Sequence, residues 1–363
     1  MIQPSIEKIC WAISATGQEV GNAAGYGRSN VLFRAALERI GVEIDDSADV
    51  AIHYGYAGLF RPRPGKWNAL FTMYESPYVP PEMIEAIRIA DQVVVPSRYC
   101  AELFKKYTTR PISVCPLGVD LHVFRPRERS WRQGKDRFRW LYVGAPNYRK
   151  MTILPELHRA LLADLPCELY VKTTGALRTP EMLKSFDAWA CEIISDGDII
   201  RSHNWTVDNR AISPAALAEI YHSAHGFLFL HCGEGFGLTG LEAMATGLAP
   251  VISDSTGTQD FADKSCAYLV DAPIQPVRQL DSDGVEFSHD LPWPDAVASM
   301  RAVGLVMTDY FEARRRGRAA AERAKQFSWE AAARKLCDSL RDEARLAPST
   351  SHVALCPQDK SVA

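Results

Sequence analysis

Between Gly226 and Gly247 a strand, a glycine-rich loop and a short helix follow one another, and this unit restricts the chain to folds in which strands run into helix N-termini. The apolar run Gly226-Phe-Leu-Phe-Leu230 reads as a buried strand. The loop His231-Cys-Gly-Glu234-Gly-Phe-Gly237 comes next, then a helix from about Leu238 to Thr246 that Gly247 closes. Val251-Ile-Ser253, after Pro250, begins another strand. Backbone N–H groups and the dipole of a helix that starts on such a loop can hold a phosphate. Glu234 stands in the loop and Glu242 a turn into the helix, with seven residues between them. Carboxylates repel phosphate but accept hydrogen bonds from pairs of hydroxyls. A phosphate cradle flanked by two hydroxyl acceptors fits a nucleotide sugar.

The pattern Glu234-Gly-Phe-Gly-Leu-x-x-Leu-Glu242-Ala-Met-Ala-x-Gly247 resembles the signature of the retaining family 4 glycosyltransferases. The resemblance implies the α/β class and the GT-B fold, two doubly wound Rossmann-like domains facing across a cleft. It implies a nucleotide-diphosphate sugar held mainly by the second domain. Glu242 would accept the ribose hydroxyls and Glu234 the sugar hydroxyls. Gly235, Phe236, Gly237, Leu238 and Thr239 would form the donor loop, with N–H groups from Phe236 to Thr239 on the phosphates.

The rest of the chain suits that reading. Its 363 residues give room for two domains, and 47% hydrophobic with 23% charged residues describes a globular protein with a buried core. A net charge of −3 gives no global attraction to nucleic acid or anionic membrane. The nine cysteines are scattered, odd in number and without a CxxC pair, which points to reduced thiols and a cytoplasmic protein, including one peripheral to the inner membrane face. No apolar run approaches the length of a membrane span, and the N-terminus lacks the basic and apolar regions of a signal peptide.

Strands and helices alternate throughout, which argues for parallel, doubly wound sheets with ligands where strands meet helix N-termini. In the first half the strands are Ile9–Ser14, Val50–His53, Ala69–Met73, Gln92–Pro96 and Ile112–Cys115. The helices are Ser29–Ile40, Pro81–Ala90 and Arg98–Tyr107, the last capped by Ser97. In the second half the strands are Phe138–Val143, Glu168–Lys172, one near Ile199-Ile200, and Tyr268–Val270, besides the two already named. Its helices are Ile153–Leu165, Pro180–Ile194, Ser213–Ser223, Pro294–Thr308 and Tyr310–Lys325. The segments Val93-Val-Val-Pro-Ser97, Pro116-Leu-Gly118-Val-Asp120 and Phe327-Ser-Trp329-Glu330 resemble the same family. The expected organisation is an acceptor-side domain over 1–125, short for the family, and a linker over 126–137. A nucleotide-sugar-binding domain over 138–326 follows, then a terminal helix over 327–346 that crosses back to the first domain and a disordered tail over 347–363. Between Arg125 and Arg139 seven arginines and lysines face two acids, which reads as a solvated linker, with contact to nucleic acid as the alternative.

Other residues complete the expected site. Gly21, Gly25 and Gly27 have the spacing Gly-x-x-x-Gly-x-Gly, which does not fit a nicotinamide-binding turn. The resemblance makes Gly25 and Gly27 a loop that approaches the donor diphosphate, with Arg28 as an adjoining charge. After Gly144 the family carries an arginine and a lysine that neutralise the departing diphosphate. Lys150 keeps the lysine's place, while Ala145 holds the arginine's, and Arg149 is the candidate replacement. Lys172 is a further, weaker candidate. Where the family has a histidine at the end of a first-domain strand, this chain has Tyr74 and Glu75, which would wall the sugar and acceptor site. His53 and His231 read as structural. Asp196-Gly-Asp198 and Asp281-Ser-Asp283 match a metal-binding triplet but follow no apolar strand of the first domain, so no metal and no cofactor is expected. Arg314-Arg-Arg-Gly-Arg318 reads as a solvated helix face.

With no evident nucleophile, retention would come from acceptor attack on the face the diphosphate leaves, the leaving phosphate taking the acceptor's proton. The expected acceptor is a glycan or lipid-linked hydroxyl. The alternatives are transfer to a nucleic-acid base, which Arg61-Pro-Arg63-Pro-Gly-Lys66 would serve, a GT-B sugar-phosphate enzyme, and a non-catalytic nucleotide-sugar-binding protein.

Overall fold

The computed structural model describes residues 6–14, 25–132, 135–144, 154–157, 166–173, 194–196, 199–201, 204–280 and 286–346. The first sheet holds β1 (Lys8–Ser14), β2 (Glu43–Ile44), β3 (Val50–Gly55), β4 (Trp67–Phe71), β5 (Gln92–Val95) and β6 (Ile112–Val114). Their order is β2-β1-β3-β4-β5-β6, and all neighbours are parallel. A parallel sheet is covered on both faces, which is why Val93, Val94 and Val95 form an unbroken apolar run that is fully buried.

The second sheet holds β7 (Phe138–Val143), β8 (Cys167–Lys172), β9 (Ile194–Asp196), β10 (Ile199–Arg201), β11 (Trp205–Asp208), β12 (Gly226–Phe229), β13 (Pro250–Asp254) and β14 (Tyr268–Asp271). The order is β14-β13-β12-β7-β8-β11-β10-β9, with β10 antiparallel to both its neighbours and the rest parallel. In each sheet the chain reverses its direction of winding once, between β1 and β3 and between β7 and β12. Ligands of such sheets bind outside the strands' carboxyl ends at these reversals.

The helices that matter here are α1 (Gly25–Arg39), α2 (Pro81–Ile89), α3 (Arg98–Phe104), α4 (Leu154–Leu157), α5 (Pro214–Ser223), α6 (Leu238–Ala245), α7 (Ala296–Thr308), α8 (Tyr310–Ala324) and α9 (Trp329–Leu346). Local chemistry starts several of them. Ser97 Oγ accepts from Cys100 N–H, Ser213 Oγ from Ala216 N–H, and Asp309 from Glu312 N–H, while proline fills the first turns of α2 and α5.

Four expectations change. Helix α1 begins at Gly25 rather than Ser29, so Gly25 and Gly27 lie in its first turn and not in a loop. Ile194 belongs to a strand rather than closing a helix, because β9 and β10 extend the sheet as an antiparallel pair. The edge strand β2 and the buried strand β11 are additional. So is the two-stranded ribbon of β15 (Ile274–Leu280) and β16 (Glu286–Pro292), which pairs with neither sheet. The expected helix over 180–194 lies otherwise outside the described residues, as do most of the one over 153–165 and the tail over 347–363.

The stretch read as a solvated linker is mostly exposed, and two of its arginines also tie it to the second sheet's helices. Arg127 forms two bonds to Glu219, and Arg129 donates to the carbonyls of Tyr221 and Thr246 at the ends of α5 and α6. A guanidinium at two helix C-termini is favoured by both dipoles.

Helix α9 packs along α1. Trp329 is buried with its edge on Phe33, Cys115 Sγ donates to Ala332 O, and Gln92 Nε2 donates to Ser339 O. Val119 N–H donates to Phe327 O at 2.8 Å. The Gly118 Cα lies so close to this strand-like contact that an added Cβ would collide with the backbone of Trp329. Two segments that resemble the same family, far apart in sequence, are therefore halves of one contact. Among the described residues no helix is long and apolar enough to cross a membrane.

Candidate functional site

The loop after β12 enters the cleft from the second sheet's reversal. Gly237 caps α6 with φ 102°, a left-handed conformation that glycine adopts without strain, and it turns the chain directly into the helix. The N–H groups of Gly240 and Leu241 bond Gly237 O. Those of Leu238 and Thr239, the half-buried residues at the helix start, meet no acceptor among the described residues. They are the donors a phosphate would find. The role expected of Phe236 is a backbone one. Its side chain is core, packed on Phe261 and Phe327, so only its backbone can face a ligand.

Three contacts fix the loop. Glu234 N–H donates to Thr256 Oγ1 at 2.9 Å, Glu234 O accepts from Gly257 N–H at 2.9 Å, and Gly235 O accepts from Ser97 Oγ at 2.7 Å. Thr256 has φ 58°, the left-handed region that a β-branched residue rarely enters. Backbone strain of this kind, about 1–3 kcal/mol, persists where surrounding bonds hold it. Glu234 itself is 7% exposed. His231 Nδ1 accepts from Gly233 N–H and its ring meets Phe229 edge-on, which is a structural role. His53 is likewise structural: Nε2 bonds Asn68 Oδ1, and burial lowers its pKa.

Glu242 is 4% exposed, and both its oxygens are engaged. Arg28 Nη2, from the first turn of α1, stands 2.8 Å from Oε1, and Tyr221 OH donates to Oε2 at 3.1 Å. The Arg28 guanidinium also lies over the Phe124 ring, 5.4 Å from its centroid. Burial raises the pKa of Glu242, and Arg28 and Tyr221 pull it back down. With Arg28 and Tyr221 over its two oxygens and so little of it exposed, this carboxylate has little room for a ribose diol beside both partners.

The opposite wall comes from the end of β4. Tyr26 OH donates to Met73 O and accepts from Met73 N–H, which anchors the segment Met73-Tyr-Glu75 to α1. The Met73 side chain lies against Gly235 and Glu75 O against Gly233, so Met73 and Glu75 stand beside the donor loop, while Tyr74 packs against the first sheet's apolar cluster. Arg98 closes the same side with two bonds to Asp260, from its own N–H and from Nε.

Several expected residues are not brought together here. Lys150, Arg149 and Ala145 lie outside the described residues, as do Asp198, Asp281 and Asp283. Lys172 is fully committed elsewhere: its buried Nζ donates to the carbonyls of Thr173, Asp208 and Arg210. Among the described residues no three His, Cys, Asp or Glu side chains gather as a metal site. Nothing in the sequence marks Tyr221, Thr256 or Asp260 as part of the site. A serine capping α3 was legible, but its bond across the cleft had no local signal.

The comparisons with known proteins bear on this geometry. Residues 198–336 match the family model described as Family 4 Glycosyltransferase in conflict systems, a span that contains the whole donor loop. No curated protein matches the sequence. Among solved structures, sucrose-phosphate synthase from Thermosynechococcus elongatus is similar at 18% identity and TM-score 0.62, covering 88% of this chain and 78% of that one. HepE of Anabaena in complex with UDP and glucose is similar at 10% identity and TM-score 0.65, covering 93% and 100%. Trehalose 6-phosphate synthase from Burkholderia multivorans is similar at 14% identity and TM-score 0.61, covering 91% and 78%. The chain has the GT-B fold, and its residues 198 to 336 match the model of a family 4 glycosyltransferase.

Proposed function

We propose that the chain is a retaining glycosyltransferase that moves a sugar from a nucleotide-diphosphate donor to the hydroxyl of a glycan or lipid-linked acceptor. The observation that carries this reading is the donor loop. Two carboxylates flank a helix start whose Leu238 and Thr239 N–H groups meet no acceptor among the described residues, and Gly233 and Gly235 of the loop lie against Glu75 and Met73 after β4. The phosphates would sit on those N–H groups, with the sugar between Glu234 and the wall of Tyr74 and Glu75. Gly25 and Gly27, at the start of α1, would approach the diphosphate from the other domain. Lys150 and Arg149 would add positive charge as the diphosphate leaves, where it lowers the barrier most. The acceptor hydroxyl would attack on the same face, its proton passing to the leaving phosphate.

UDP is the nucleotide to try first, because the similar HepE structure holds UDP and glucose. Three of the basic residues that would serve a nucleic-acid acceptor have partners within the protein. Arg61 donates to Phe60 O, Arg63 to Asp46 and Lys66 to Ala48 O. Turnover of UDP-, GDP- and ADP-sugars, read as release of the nucleoside diphosphate, should fall at least ~100-fold in Glu234→Ala, which loses a contact to the reacting sugar. Glu242→Ala should raise KM for the donor. Unchanged turnover in both variants would end the assignment.

A further inference from the structure

We propose that Arg28 exchanges partners during donor binding, leaving Glu242 to the ribose and moving to the donor diphosphate. This rests on the donor site proposed above and assigns to Arg28 a role in the reaction, not only in holding the domains together.

The two partners of the ion pair are held unequally. Glu242 is fixed within α6, and its oxygens face Arg28 and Tyr221. Tyr221 OH also lies 3.0 Å from Thr239 O, so it can remain in place when a diol arrives. The Arg28 side chain is 25% exposed against 5% for Glu242, and its guanidinium rests on the face of Phe124 rather than in a carbonyl cage. Arg28 is therefore the partner that can move.

Once displaced, a guanidinium in a partly dry cleft needs another anion, because an unpaired desolvated charge is costly. Such an anion would lie close by. Leu238 and Thr239 are about one helical turn from Glu242, roughly 6 Å along the axis, within the sweep of an arginine side chain. Arginine suits the task, since its planar fork can bond two phosphate oxygens at once. The other described cation facing this loop from the first domain, Arg98, is held by two bonds to Asp260. The exchange also gives an order to the events: the ribose must reach Glu242 before Arg28 is available to the leaving group. The exchange moves no proton, so the proton balance of the transfer is unchanged.

Calorimetric titration with UDP and with uridine tests the exchange, with GDP/guanosine and ADP/adenosine as parallel pairs. In Arg28→Gln, titrated at a pH high enough to ionise Glu242, uridine should bind roughly five- to tenfold tighter, because Glu242 is no longer pre-occupied. The advantage of UDP over uridine should shrink about tenfold or more, the value of a lost charge-assisted bond. Arg28→Lys, which keeps the charge and guards against a folding defect, should restore part of that advantage. If uridine tightens but the UDP advantage is unchanged, Arg28 only covers Glu242 and the exchange is wrong. If the advantage shrinks without tighter uridine binding, Arg28 does not compete with ribose and the exchange is again wrong. If the wild-type protein binds none of the three nucleoside diphosphates, the donor site itself is refuted and the exchange falls with it.

Discussion

Glu242 is a carboxylate sealed from water, and its charge depends on one guanidinium from the other half of the chain. Burial raises its pKa, while Arg28 and Tyr221 oppose that rise. A carboxyl whose folded pKa lies above its unfolded value near 4.3 destabilises the fold as pH rises through that interval, because only the unfolded chain ionises freely. Removing Arg28 should raise the folded value further and widen the interval. Arg28→Gln should thus nearly match the wild type near pH 4.5 and fall behind it by pH 7, by on the order of 3 kcal/mol. Urea melts at several pH values measure this; a deficit that stays constant with pH would contradict it. Thr256 offers a second test at this scale. Thr256→Gly should relieve its left-handed strain yet release Glu234 N–H, giving stability within ~1 kcal/mol of wild type but slower turnover. Equal turnover would show that the Thr256 hydroxyl does not position the loop. Both glutamates were legible in the sequence, because their spacing and flanking glycines are local. Arg28 was legible only as a nearby charge, since nothing local to either residue pairs it with Glu242.

Helices and strands were mostly readable where one face or both are buried in a regular pattern. Continuous apolar runs announced β5 and β12, β7 is apolar but for Arg139, and serine or proline marked the starts of α3 and α5. The elements that escaped lack such patterns. Strand β2 has two residues, β11 is a four-residue run with alternate polar members, and β15 contains Pro276, which a strand bears only where its N–H is not needed. The early start of α1 escaped because glycines read as loop, although tertiary anchors such as the bonds between Tyr26 OH and Met73 outweigh their low helix propensity. At the element scale the sharpest prediction concerns the contact of Gly118 with the start of α9. Gly118→Ala should cost about 1–3 kcal/mol, as overpacking does, and should loosen α9 before the rest of the fold. Hydrogen exchange of the α9 amides would report this; protection equal to wild type would mean the contact yields without cost.

At the scale of the whole molecule, the reversal of winding in each sheet points one crevice at the other. The facing edges are bridged beside the donor loop by Ser97 with Gly235, Arg98 with Asp260 and Arg28 with Glu242. The donor half of this cleft was legible because it is built from one continuous segment. The facing half was not, because it combines the start of α1, the end of β4 and the cap of α3, and only folding brings them together. The central claim is that the cleft at Glu234 and Glu242 binds a nucleotide-diphosphate sugar. Thermal melting of the intact chain against UDP-, GDP- and ADP-sugars tests it most directly. A donor at a hundredfold excess over its Kd adds about 2.7 kcal/mol, which for a chain of this length is a rise of roughly 3 °C. At least one of the three donor classes should produce that rise in the wild type, and the same concentration should produce little in Glu234→Ala. No shift with any nucleotide sugar, or an equal shift in the variant, would contradict the account.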